Sequence, residues 1–146
     1  MFKETKKAAD RSGEETMSRT SAYTKMNVST ASSAQIMVAL FQAALRNMRA
    51  AANALGRGDL QGGSVMAEKA AAIVLGLQGT LKAEVAPDLC ARLNELYTFV
   101  ACRLGIAGTK FSAEHAEEAE RVFAPIAEAF IQAASQVQAA PGSVGR

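Results

Sequence analysis

Large apolar residues recur along this chain at helical spacing, and the clearest run lies between residues 87 and 105. They fall on one face of a helix there: Leu93, Leu96, Tyr97, Val100 and Leu104. Pro87 suits the first turn of such a helix, because its missing N–H would have no partner there. Gly105 can adopt the left-handed conformation that often ends a helix. The pattern therefore predicts a helix from Pro87 to Gly105 that buries one face.

Two earlier segments repeat this design. Ser32, with Gln35 three residues later, matches a capping box ahead of an apolar run that stops at Gly56-Arg57-Gly58. Asp59 is placed to cap the second helix. The apolar stripe of that helix consists of Met66, Ala70, Ile73, Val74, Leu77 and Leu81. Its glycines permit either fraying or very close packing by another helix, and the sequence leaves both open.

A fourth helix is predicted after a loop at residues 106–111. Ser112 is a candidate N-cap, and apolar residues recur at helical spacing from Ala116 to Val137. Pro125 lies inside this helix and predicts a kink, whereas Pro141-Gly142 predicts the end of the ordered chain. Since the connections are short, the four helices predict an all-α, antiparallel up-down four-helix bundle.

The chain divides into a polar leader, a bundle and a tail. Residues 1–20 and 139–146 are expected to be disordered, and residues 21–138 to form the bundle domain. Within residues 21–31 three larger side chains are spaced along a linker-like stretch: Tyr23, Met26 and Val28. This stretch fits either an extended strap along the bundle or a flexible leader.

Composition and charge exclude several classes of protein. The chain has 146 residues and a net charge of +2, without the clustered Lys and Arg of a nucleic-acid surface. No run of residues is apolar enough for a spanning helix, and the first twenty residues lack a signal-peptide core. Cys90 and Cys102 fall about 18 Å apart along one helix, too far for a disulfide. These features predict a cytoplasmic protein with reduced thiols and no membrane insertion.

No pattern of catalytic chemistry is present. His115 is the only histidine and stands among Glu114, Glu117 and Glu118, without the Glu-x-x-His pairs of a di-iron bundle. There is no triad, catalytic acid pair or phosphate-binding loop. We therefore expect no enzyme activity, no cofactor and no metal. The wide apolar, alanine-rich helix faces fit either a fully internal core or shallow grooves for a partner helix.

Several motifs, in order, resemble one known family. They are Tyr23, Asn27-Val28, Thr30-Ala31-Ser32, Leu40-Phe41, Lys69-Ala70, Ile73, Leu77, Leu81, Glu84, the run Arg92-Leu93-Asn94-Glu95-Leu96-Tyr97-Thr98-Phe99-Val100-Ala101-Cys102-Arg103-Leu104, and Glu128-Ala129-Phe130. The chain is thereby similar, from Ala22 to about Ala134, to the flagellin-specific export chaperones of bacterial flagella (the FliS family). It departs from the family at Gln42-Ala43, Thr98, Cys102 and Phe130, where polar parts of the signature change and the apolar frame stays.

The resemblance implies a non-enzymatic chaperone that binds the disordered C-terminal region of flagellin in the cytosol. Such binding would block premature polymerisation and deliver the subunit to the flagellar type III export apparatus. The alternative is a helical interaction or regulatory module with a different flagellar partner. Two further partners stay open, a component of the export gate and a second copy of the chain.

The client-binding residues are a hypothesis built on this resemblance. They comprise three residues of the strap and seven of the second and third helices: Tyr23, Met26, Val28, Ile73, Leu77, Leu81, Leu89, Leu93, Tyr97 and Val100. The strap is expected to cover part of the client groove in the free protein and to be displaced by the client. Whether each helical residue belongs to the groove or to the core is left open by the sequence.

Overall fold

The structure, a computed structural model, describes residues 30–144, with side chains for residues 33–136. Its elements are α1 (Thr30–Gly56), α2 (Leu60–Gln78), α3 (Pro87–Lys110) and α4 (Ala113–Val144), and no strand occurs in this part of the chain. The first described residues, up to Ile36, belong to a separate compact unit. The packing below is that of the second unit, from Met37 onward. The all-α fold predicted from the sequence is confirmed.

Neighbouring helices run antiparallel. Ser64 of α2 donates a hydrogen bond to the carbonyl oxygen of Gly108 in α3 at 3.0 Å. At the opposite ends of the same helices, Gln78 donates to Asn94 Oδ1 at 2.6 Å. Contacts between α1 and α4 show the same reversal, through the ion pair Arg49–Glu120 at 2.7 Å and the stacked rings of Phe41 and Phe130, 4.9 Å between centroids. The predicted up-down four-helix bundle is therefore present.

The core has an aromatic-aliphatic half and an alanine-rich half. The larger half is built around fully buried side chains from all four helices: Phe41, Met48, Val74, Leu77, Tyr97, Val100, Leu104 and Phe123. The smaller half lies near the α1–α2 turn and contains Ala51, Ala52, Leu55, Ala67, Ala107 and Ala116. Alanine side chains let the helices approach closely there. Apart from the Tyr97 phenol, no polar or charged side chain of the described residues is buried, so apolar burial and close packing hold the bundle together.

Three local signals predict helix starts correctly. The carboxylate of Asp59 accepts a hydrogen bond from the Gly62 N–H at 3.1 Å, as an N-cap does. Pro87 is the first residue of α3. Ser112 Oγ accepts from the His115 N–H at 3.3 Å and contacts His115 Nδ1 at 2.7 Å. These signals are local, because Asp59 and Ser112 accept hydrogen bonds from N–H groups that a helix start leaves unpaired, and Pro87 has no N–H to leave unpaired.

Two helix boundaries in the first half of the chain differ from the prediction. α1 begins at Thr30, so Ser32 lies inside the helix instead of capping it. α2 ends at Gln78, before Leu81. Its last turn is closed by the Gly79 N–H, which donates to the Leu75 carbonyl oxygen at 3.1 Å. Leu81 therefore belongs to the α2–α3 connection, where it packs half-buried against the core.

In the second half, both helices are longer than predicted. α3 continues through Gly105 to Lys110, so the loop predicted at residues 106–111 is wrong. Burial of Leu104 and Ala107 outweighs the propensity cost of glycine, about 1 kcal/mol. The left-handed residue that ends α3 is Phe111, with φ 55° and ψ 45°. α4 continues to Val144, past Pro141-Gly142. The predicted disorder of residues 1–20 and 139–146 stays a prediction.

Candidate partner-binding surface

The ten proposed client-binding residues fall into three groups. Tyr23, Met26 and Val28 lie outside the described residues. Four others are core residues: Leu77, Leu93, Tyr97 and Val100. The remaining three, Ile73, Leu81 and Leu89, reach the surface to different degrees. Of the seven residues that the structure describes, only the third group offers a partner apolar area without rearrangement of the bundle.

The buried group supports the surface from beneath. The ring of Tyr97 packs tilted against Phe123, with 6.2 Å between centroids, and only 1% of Tyr97 is exposed. Burial raises the pKa of the Tyr97 phenol to about 12, since the charged form would lose its hydration. Leu77, Leu93 and Val100 belong to the same cluster. In this structure these side chains fix how α2 and α3 pack and leave no area for a client.

Three exposed apolar residues lie at the end of α2, in the α2–α3 connection and in the first turns of α3. Leu89 on the first turns of α3 is 55% exposed, and Val85 in the preceding connection is 75% exposed. Leu75 on α2 is 54% exposed. Ile73 and Leu81 are half-buried and pack against the core cluster. We call Leu81, Val85 and Leu89, with Ile73 and Leu75 on the two flanks of α2, the α2–α3 apolar surface.

Sequence reasoning misses two members of this surface. Leu75 lies outside the helix face that contains Val74 and Leu77, so its exposure could have been predicted from the helical periodicity. Val85 lies in a connection, where hydrophobic periodicity carries no information. The reverse error occurs at Leu96, which the spacing assigns to the buried stripe but which is 38% exposed at its edge.

A polar cluster lies next to this surface. Gln78 Nε2 is within hydrogen-bond distance of three α3 acceptors, namely Asn94 Oδ1 at 2.6 Å, Thr98 Oγ1 at 2.9 Å and the Asn94 carbonyl oxygen at 3.3 Å. Together these contacts join the end of α2 to α3. Thr98, one of the departures from the family signature, therefore still provides an oxygen acceptor at its position.

A second apolar depression lies at the other end of α2. It has a volume of about 470 Å³, and Leu60, Val65 and Phe111 line it with polar neighbours such as Glu68.

Along the α3–α4 boundary, the guanidinium of Arg103 lies over the ring of Phe99 at 4.9 Å and pairs with Glu118 at 3.2 Å. Because Arg103 already contacts both the Phe99 ring and the Glu118 carboxylate, its side chain links α3 to α4.

The described residues show no arrangement suited to metal or redox chemistry. No group of three or more His, Cys, Asp or Glu residues between positions 30 and 144 could hold a metal ion. Cys90 and Cys102 are free thiols. Nor is any helix in this range long and apolar enough to cross a membrane. The features that stand out are apolar surfaces on a rigid helical frame.

The fold and its surface define a class: an all-α bundle that offers apolar contact areas on two antiparallel helices. A family model, described as flagellar protein FliS, matches residues 16–137, which is most of the chain. The chain therefore belongs to the FliS family, whose members act as flagellar export chaperones. A search of curated proteins finds no significant match. The family predicted from the sequence motifs is confirmed.

Proposed function

We propose that this protein binds the disordered C-terminal region of flagellin in the cytoplasm, keeps it from polymerising, and delivers it to the flagellar type III export apparatus. The observation that carries the proposal is the family match over residues 16–137. The α2–α3 apolar surface supports it, because a bundle that presents exposed leucine and valine side chains suits a partner that folds into helices upon it.

Reversible binding follows from the disorder of the client. A segment that becomes ordered on binding loses conformational entropy, which offsets part of the favourable apolar contact energy. Among the described residues the core beneath the α2–α3 apolar surface is apolar apart from the Tyr97 phenol, so the chaperone side can stay rigid while the client folds. A chaperone that must release its cargo at the export apparatus needs this balance.

The contact residues follow from exposure. Ile73, Leu81 and Leu89 are retained from the sequence hypothesis, and Leu75 and Val85 are added because they are exposed in the same part of the chain. Leu77, Leu93, Tyr97 and Val100 act indirectly, by holding α2 and α3 in register. Tyr23, Met26 and Val28 are proposed to form a strap that the client displaces. Deleting residues 1–28 should leave the bundle folded and change client affinity, and unchanged affinity would remove the strap from the proposal.

Calorimetric titration tests the function directly. A peptide covering about the last forty residues of the host's flagellin should bind at micromolar Kd or tighter, with a negative heat-capacity change from apolar burial. Leu89→Glu should weaken binding without unfolding the bundle, whereas Cys102→Ser, on an exposed α3 position outside the surface, should bind like wild type. Absence of heat at two temperatures would contradict the proposal and favour a different flagellar partner. Sedimentation of the mixture distinguishes client binding from self-association.

A further inference from the structure

The amides of Gln78 and Asn94 are oriented by their contacts with each other and with α3. The backbone carbonyl of Asn94 can only accept a hydrogen bond, and it lies 3.3 Å from Gln78 Nε2. Gln78 therefore turns its nitrogen toward α3, and Asn94 must turn Oδ1 toward that nitrogen, at 2.6 Å. This arrangement leaves Gln78 Oε1 as an acceptor and Asn94 Nδ2 as a donor, neither with a protein partner among the described side chains.

These two residues form the polar end of a cavity between α2, its connection and α3. The cavity has a volume of about 330 Å³, and its other walls are apolar or small: Leu81, Ala83, Pro87, Cys90 and Ala91. None of its lining residues carries a charge. It shares Leu81 with the α2–α3 apolar surface. The site thus places the two amides beside an apolar wall.

We infer that this cavity binds the side-chain carboxamide of an Asn or Gln residue in the bound client segment. A carboxamide offers an N–H to Gln78 Oε1 and a C=O to the Asn94 Nδ2 donor, so it satisfies both groups at once. A carboxylate would face the Gln78 oxygen, and an ammonium group would face the Asn94 N–H donors, so each leaves one unfavourable contact. The remaining volume accepts an adjacent aliphatic side chain of the client against Leu81 and Pro87. This inference rests on the proposed function, since the client supplies the carboxamide.

Two near-isosteric variants separate recognition from helix packing. Asn94→Asp keeps Oδ1 for the Gln78 hydrogen bond and replaces the Nδ2 donor with a charged carboxylate oxygen. Thr98→Val removes an acceptor of Gln78 and leaves Oε1 of Gln78 and Nδ2 of Asn94 in place. In titrations with the flagellin C-terminal peptide, Asn94→Asp should bind about two- to tenfold more weakly, the effect of one hydrogen bond, and Thr98→Val should bind like wild type.

The client side is tested by replacing each Asn and Gln of the peptide with alanine. One replacement should weaken binding to the wild-type protein and have little effect on Asn94→Asp, because the same contact is already lost. If Asn94→Asp instead weakened the binding of every peptide by the same factor, the cause would be a general effect of the added charge. That result would overturn the inference. Equal binding by wild type and Asn94→Asp would overturn it too, with the chaperone function intact. Failure of the wild-type protein to bind any peptide would overturn both.

Discussion

Gly63 of α2 lies directly against Leu55 of α1. A Cβ atom at position 63 would lie 2.6 Å from Leu55 Cδ2 and 3.1 Å from the Leu55 backbone nitrogen. Both residues are buried, and Leu55 belongs to the alanine-rich half of the core. The missing side chain of Gly63 therefore sets how closely α1 and α2 approach beside their connecting turn.

Gly63→Ala should destabilise the bundle. Overpacking of this kind costs about 1–3 kcal/mol, and the better helix propensity of alanine returns up to about 1 kcal/mol. We expect the free energy of unfolding to fall by about 1–2 kcal/mol in urea denaturation.

Gly76→Ala is the matched control, because Gly76 lies in the same helix and a Cβ atom at that position would have no neighbour within 4 Å. It should stabilise the protein by up to about 1 kcal/mol. A gain of stability in both variants would show that α1 can shift to accept a methyl group at position 63.

These two glycines also mark how far sequence reasoning reaches. The helical periodicity that predicts α2 is a local property, and so are the Asp59 and Ser112 caps. A helical glycine can allow close packing by another helix or can weaken its own helix. Which of the two occurs depends on how near the next helix lies, and the sequence of a single helix does not contain that information. For the same reason Gly105 is a plausible helix end by sequence, and only the burial of Ala107 beyond it shows why α3 continues.

Leu93 and Leu89, one turn apart on α3, should respond differently to substitution. Leu93 is 7% exposed and belongs to the core, so Leu93→Ala should lower the free energy of unfolding by about 2–5 kcal/mol. Leu89 is exposed, so Leu89→Ala should change stability by about 0.5 kcal/mol or less and weaken client binding. Thermal unfolding and calorimetric titration measure the two effects. A large loss of stability at Leu89 would place it in the core.

This pair also explains the mixed outcome for the client-binding hypothesis. The sequence stripe through Leu93, Tyr97 and Val100 identifies a buried face correctly, but a face buried in the bundle and a face buried by a partner have the same pattern. Exposure separates them, and it depends on where the neighbouring helices lie. The residues that reach the surface, Leu89 among them, lie beside the stripe or outside any helix.

Phe111→Gly should be tolerated. Phe111 adopts the left-handed conformation, at φ 55°, which costs a non-glycine residue roughly 1–2 kcal/mol, while its side chain is 48% exposed. Glycine removes that strain at the end of α3 and loses only part of an apolar contact with the Leu60–Val65 depression. We expect the free energy of unfolding to stay within about 1 kcal/mol of wild type, in either direction. A larger loss of stability would show that the packing of the Phe111 ring stabilises the fold by more than its left-handed backbone conformation costs.

Ionisation of Tyr97 should make the bundle less stable in alkaline solution. Burial raises the pKa of its phenol from 10.0 to about 12 in the folded state, so the folded protein holds a proton that the unfolded chain releases. The stabilisation from this group is complete below pH 10 and is lost as the pH rises through about 12. Between these values the free energy of unfolding should fall by up to about 1.4 kcal/mol per pH unit.

Tyr97→Phe isolates this effect, because lysines also titrate in the same range. The variant keeps the ring against Phe123 and lacks the ionisable hydroxyl. Its unfolding should therefore release up to one proton fewer, so its free energy of unfolding should fall less steeply with pH than that of wild type. Urea denaturation at a series of pH values compares the two proteins. The chain has 2 tyrosines, so ultraviolet absorbance of tyrosinate in a Tyr23→Phe background reports Tyr97 alone. Identical slopes in wild type and Tyr97→Phe would mean that the phenol already reaches water in the folded bundle.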